Sequence, residues 1–85
     1  MASIEQDIRG FVVENFLFGD AQSLPAPDES FLASGLIDST GVLELVSFLE
    51  RQYGITVEDE ELIPDNLDSI ERLVRFVERK RAARG

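Results

Sequence analysis

Apolar residues recur along this chain at helical spacing in three stretches, and the only strand-like run, Ile55-Thr56-Val57, is too short to build a sheet. In residues 3–17 the stripe is Ile4, Ile8, Phe11, Val12 and Phe16. Ser3 with Gln6 three positions on is a capping-box pattern, and Gly19-Asp20 closes the element. The second stripe, Val42, Leu45, Val46, Leu49 and Tyr53, predicts a helix over residues 39–53. Asp38 stands at its N-cap and Gly54 where helices often end in a left-handed residue. Ile70, Leu73, Val74 and Val77, with Phe76 beside them, predict a last helix over residues 69–81. Its expected cap is Asp68, with Glu71 completing a capping box, and residues Lys80 to Gly85 are expected to fray.

Between the stripes the chain reads differently. Residues 18–38 contain Pro25 and Pro27 and no sustained period, a connection longer than the usual ~4–6 residues. Leu24, Phe31, Leu32, Leu36 and Ile37 are the apolar anchors expected to lash this loop across a core, and Gly35 is placed for a sharp turn at positive φ. Asp59 to Ile63 suggest a short helical turn stopped by Pro64. The pattern therefore predicts an all-α protein with three long helices and one short one, in a single domain spanning residues 1–85.

Composition narrows the chemistry. A hydrophobic content of 44% with six Phe supports a globular core. No apolar run approaches the ~18–20 residues of a membrane span, and MASIEQDIRG has neither the basic start nor the apolar centre of a signal peptide, so a cytoplasmic protein is expected. Cysteine and histidine are both absent. That excludes disulfides, Cys or His metal sites, a thiol nucleophile and a Ser-His-Asp triad. The scattered carboxylates support no catalytic cluster, so no catalytic residue and no metal ligand is assigned and an enzyme is not expected. Any thioester chemistry must borrow its sulfur from outside the polypeptide. The net charge is −9, yet six of the eight basic residues crowd into residues 72–84. The remaining surface is acidic, which favours partners with basic faces over nucleic acid or anionic membranes.

Two Asp-Ser pairs, Asp38-Ser39 and Asp68-Ser69, each precede a helical stripe. Capping alone accounts for either. They differ in setting: Ser39 follows a long loop with a Gly hinge, lies in the acidic half and is followed by the small residues Thr40 and Gly41. Ser69 has only a short connection from Pro64 and runs straight into Ile70, a core position. Ser39 is thus the more approachable of the two. A helix N-terminus favours an anion by about 0.3–1 kcal/mol, which Asp38 opposes.

Gly35-Leu36-Ile37-Asp38-Ser39 opening a helix with Val42, Leu45 and Val46 resembles the acyl carrier proteins and the related peptidyl and D-alanyl carriers. The likeness continues through Glu50, Tyr53-Gly54-Ile55, the acidic run Glu58 to Glu61, and Asn66-Leu67-Asp68-Ser69-Ile70 at the entry to the last helix. It implies a four-helix bundle with one short helix and a long first loop, and a 4′-phosphopantetheine arm on Ser39, installed from coenzyme A by a phosphopantetheinyl transferase with magnesium. The arm's thiol would hold acyl or aminoacyl groups as thioesters, in lipid or secondary-metabolite biosynthesis. An activating ligase and acyl-transfer enzymes would be the further partners. Ser69 is expected to be structural. Thr40 and Gly41 depart from the housekeeping fatty-acid type and bring the chain closer to stand-alone carriers served by a dedicated adenylating ligase.

Partner docking is expected on the helix that begins at Ser39. Thr40, Leu43, Glu44 and Ser47 lie off its core stripe, and Asp38, Glu50, Asp59 and Glu60 add charge for a basic partner. The basic end complements a helix C-terminus, with Glu71 placed to pair with Arg75, and is not expected to serve nucleic acid. A monomer is expected. The rival reading is an unmodified acidic helical module that binds a basic partner through the same face.

Overall fold

The computed structural model describes residues 3–84, without the side chain of Arg84. It is all-helical, with no strand among the described residues. The helices are α1 (Ile4–Phe16), α2 (Phe31–Ser34), α3 (Ser39–Tyr53), α4 (Pro64–Leu67) and α5 (Ile70–Arg84). Helix α5 packs against α1, α3 and α4. The core they enclose includes Ile8, Val12, Leu45, Leu49, Leu73 and Val77, all from the expected stripes. Phe76, expected beside the stripe, is in the core as well, 1% exposed.

Local chemistry sets the ends of α1 and α3 as expected. Ser3 and Gln6 exchange side-chain and backbone hydrogen bonds in a complete capping box. The Gly41 amide donates to Asp38 Oδ1 at 2.8 Å, and Gly54 closes α3 at φ 65°. Helix α1 ends less comfortably. Val13 carbonyl accepts from both the Leu17 and Gly19 amides, and the turn between them puts Phe18 at φ 52°. A left-handed backbone costs a side-chain-bearing residue about 1–2 kcal/mol.

Four expectations need correction. Pro64 does not stop a helix but starts one, standing at the first position of α4, where its missing amide hydrogen is no loss. Among the described residues there are two one-turn helices, α2 and α4, and the first loop also carries a 3-10 turn at Ala21–Ser23. Asp59–Glu61 form a second such turn.

The cap of α5 is the second correction. The Ser69 hydroxyl, not the Asp68 carboxylate, accepts the Arg72 amide, which places Glu71 one position short of a capping box. Asp68 is drawn elsewhere: its carboxylate accepts from the Ser30 hydroxyl and from the Leu32 amide at 3.0 Å. Phe31 amide donates to Asp68 carbonyl, and Glu71 amide to Pro27 carbonyl. The start of α5 is thereby laced to residues 27–32 of the first loop.

Third, α5 continues through residues 80–84, while Gly85 lies outside the described residues. Lys80 Nζ meets Glu61 Oε1 at 2.8 Å, and the Arg81 guanidinium lies 5.6 Å above the Tyr53 ring, so this turn has tertiary ties. Fourth, Leu32 is not an anchor. Phe31 and Ile37 are buried and Leu24 and Leu36 partly so, but Leu32 is turned outward.

Candidate functional site around Ser39

Seven serines occur in the chain. The hydroxyls of Ser3, Ser23, Ser30, Ser34 and Ser69 each make an intramolecular hydrogen bond. Ser39 and Ser47 make none among the described residues. Ser47 sits two turns along the exposed side of α3; Ser39 is its first residue. Asp38 spends one carboxylate oxygen on the Gly41 amide and its carbonyl on the Val42 amide. The Ser39 and Thr40 amides are left without an acceptor among the described residues, as the first turn of a helix requires.

Gly41 fixes this turn in place. The residue is buried, and a Cβ on it would stand 2.9 Å from both Ile37 Cγ2 and Phe16 Cε1. The sequence suggested a small residue that exposes the helix end. The structure shows instead one that lets the end of α1 close onto the start of α3.

Beside Ser39 lies an apolar groove of about 220 Å³. Leu32, Val42, Leu43, Leu62, Ile63 and Leu67 supply its walls, and Asp68, tied to Ser30 and Leu32, stands on its margin. Leu43 is 55% exposed and Ile63 43%. Sequence reasoning marked Leu43 but missed Leu32 and Ile63. Outward Leu32 follows from the Asp68 tether, which sequence spacing does not reveal.

The expected docking residues fall into two groups. Asp38, Thr40, Leu43, Glu44, Ser47, Asp59 and Glu60 are exposed. Glu50 is half-buried, and its carboxylate accepts from the Val57 amide at 2.9 Å, holding the linker after α3. The acidic run divides in the same way. Glu61 Oε1 accepts from Lys80 and from the Glu58 amide, and these bonds, Lys80 first, hold its carboxyl below the usual glutamate range.

The basic end is largely engaged within the fold. Arg72 donates to Pro64 carbonyl, Arg75 pairs with Glu71, and Arg79 donates to Asn66 Oδ1. Tyr53 hydroxyl donates to Asp7 at 2.9 Å; burial first, then this bond to a carboxylate, pushes the phenol's pKa up. Among the described residues no group of acidic side chains could hold a metal ion, and no helix is long and apolar enough to cross a membrane.

Fold and site together define a small helical protein that presents one unengaged serine hydroxyl at a helix start, beside an apolar groove. A family model, the phosphopantetheine attachment site, matches residues 16–77, and the chain belongs to that family. Its prosthetic group is a covalently attached 4′-phosphopantetheine. The residues around Ser39 fit such a group: an unengaged hydroxyl for attachment, open helix amides for a phosphate, and apolar walls for the methyl and methylene parts of an arm that also carries amides. No curated protein matches the chain.

Proposed function

We propose that Ser39 carries the arm and that the protein shuttles acyl or aminoacyl groups between enzymes. One observation supports this above the others. Of the two Asp-Ser pairs, Asp38-Ser39 is exposed with its hydroxyl unengaged, whereas Asp68-Ser69 is buried with both side chains hydrogen-bonded. A phosphopantetheinyl transferase, with magnesium, would direct Ser39 Oγ, as it loses its proton, onto the pantetheine-bearing phosphorus of coenzyme A. The pyrophosphate P–O bond breaks, adenosine 3′,5′-bisphosphate leaves, and the arm is joined through a phosphodiester. The arm's terminal thiol supplies the thioester link for which this cysteine-free chain has no atom of its own.

The chain's part is presentation. Asp38 fixes the first turn of α3, so that the Ser39 hydroxyl is held in one place. Leu32, Leu43 and Ile63 would receive apolar parts of the arm or its cargo, lowering their exposure to water. Asp38, Thr40, Glu44, Ser47, Asp59 and Glu60, with Leu43, would face a partner's basic surface and raise its rate of encounter. Glu50 would act at one remove, holding the linker before the Asp59–Glu61 turn. On this reading α1, α3, α4 and α5 form a four-helix bundle with a long first loop, and the protein is a substrate of its partners, not a catalyst. Its place would be the cytoplasm, with an activating ligase and acyl-transfer enzymes as partners.

Intact mass after incubation with a broad-specificity phosphopantetheinyl transferase, coenzyme A and magnesium tests the assignment. Wild type and a folded Ser69→Ala variant should gain one phosphopantetheinyl group, and Ser39→Ala none. No gain by wild type beside a control carrier that is loaded would sink the reading.

A further inference from the structure

Four large apolar side chains are prominently exposed among the described residues: Phe18, Leu32, Leu43 and Ile63. Three line the Ser39 groove. Phe18, at 93% exposure the most prominent, does not, and carrying an arm gives it no task. Its backbone is also strained: at φ 52° it occupies the left-handed region that a glycine would take without penalty, although a glycine stands next to it at position 19. The turn is well tied, with Val13 carbonyl accepting from Leu17 and Gly19, so the ring is held outward on a defined scaffold.

The position of that scaffold is fixed by Phe16. The Phe16 ring abuts Gly41, two residues from Ser39, and Phe18 lies two residues beyond Phe16. Two residues of chain span at most about 7 Å. Phe18 therefore sits at the same end of the molecule as Ser39, and the molecule measures only 30 × 20 Å across its two shorter axes. An enzyme acting on the serine hydroxyl must cover this end. A standard interface, about 800 Å² on this side, reaches roughly 16 Å from its centre. Enzymes that act on the far tip of a long arm need not touch it.

Resting on Ser39 as the attachment residue, we infer that Phe18 is an anchor for the transferase that modifies it, seated in an apolar pocket with a basic rim. The charge of the rim follows from the surface around the ring. Glu14 and Asp20, within four residues of the ring, and Asp38 at the start of α3 are exposed carboxylates, and no basic residue lies between Arg9 and Arg51. A rigid aromatic side chain in such a setting is the usual form of a binding hot spot.

The test is steady-state loading of the full chain by a broad-specificity transferase, with coenzyme A saturating and the carrier concentration varied. Phe18→Gly should raise the carrier KM about tenfold with kcat nearly unchanged, while its thermal midpoint stays at or above that of wild type, because glycine relieves the strained φ. Phe18→Tyr should restore the wild-type KM. A Phe18→Gly KM within twofold of wild type, with wild type loaded normally, would overturn the anchor and leave the attachment residue standing. Failure of wild type itself to load, beside a loaded control carrier, would remove both.

Discussion

The same dipeptide opens two helices in this protein and does opposite work. At the start of α5, Asp68 and Ser69 are 9% and 2% exposed, and both side chains are consumed by the fold. Asp68 reaches back to Ser30 and Leu32, and Ser69 caps Arg72. At the start of α3, Asp38 does the capping itself, and Ser39 is left over. The contrast lies in what approaches from elsewhere. The first loop closes over α5 through Phe31, which is fully buried, and supplies donors that pull Asp68 off the cap position. No loop among the described residues ties down Ser39 in this way; Phe16 and Ile37 pack beneath Gly41 and leave the hydroxyl exposed. Two equivalent sequence signals separate into a structural joint and an accessible hydroxyl because one of them has a loop on top of it.

Breaking the comparison at its serines should give the largest effect. Ser39→Ala removes an exposed hydroxyl with no partner, so loading should vanish while stability stays within about 0.5 kcal/mol of wild type. Ser69→Ala should do the reverse, costing about 1–2 kcal/mol through the lost cap and leaving loading intact at a temperature where the variant is folded. Intact mass and urea melts on the two variants read both quantities.

The aspartates sharpen the contrast. Asp68→Ala strands the Ser30 hydroxyl and the Leu32 amide in a partly buried joint and also empties the space they shared, at an expected cost of about 3 kcal/mol. Asp38→Ala loses one exposed cap bond, at about 1 kcal/mol. Equal losses in denaturant melts would show that the joint over α5 is no tighter than the open end of α3. A further lever lies under Ser39 itself. Gly41→Ala would gain about 0.5–1 kcal/mol of helix preference but forces Phe16 or Ile37 to move, so a net loss of about 1 kcal/mol is expected.

Much of this was legible in residue order because the signals were local. The Ser3–Gln6 box, the Asp38 cap and the Gly54 stop lie within a turn of what they act on, and α1 and α3 run nearly where the apolar spacing puts them. The exposure of Ser39 at a helix start was legible too, from the long loop before it and the small residues after it. What failed was long-range. Asp68 is a good cap by type, but its partner Ser30 is 38 residues away in sequence. Leu32 follows the same tether outward, so its place on the groove's rim could not be read from spacing. Gly41 looked like a weak point in a helix until Phe16 was seen against it. Pro64 was ambiguous for a different reason: proline serves equally at the end of one element and at the first position of the next.

The smallest effect concerns the buried joint's outer tie. Glu61 carbonyl accepts from the Asn66 side chain that Arg79 also holds, and Glu61 Oε1 takes Lys80 in an ion pair whose side chains are about one-quarter exposed. Lys80→Met should therefore cost only about 0.5–1 kcal/mol near neutral pH. The sign of its pH dependence follows from Glu61, whose carboxyl is depressed in the folded state, chiefly by Lys80. A depressed carboxyl stabilises the fold above its ordinary value, and that contribution is lost as pH falls through the lowered one. The gap between wild type and Lys80→Met should then be full near neutral pH and shrink as pH falls below the ordinary glutamate range and Glu61 takes up its proton. A gap that persists in acid would mean that the Lys80 side chain acts by packing its stem along α5's neighbours, and that the tie at this end is apolar, not electrostatic.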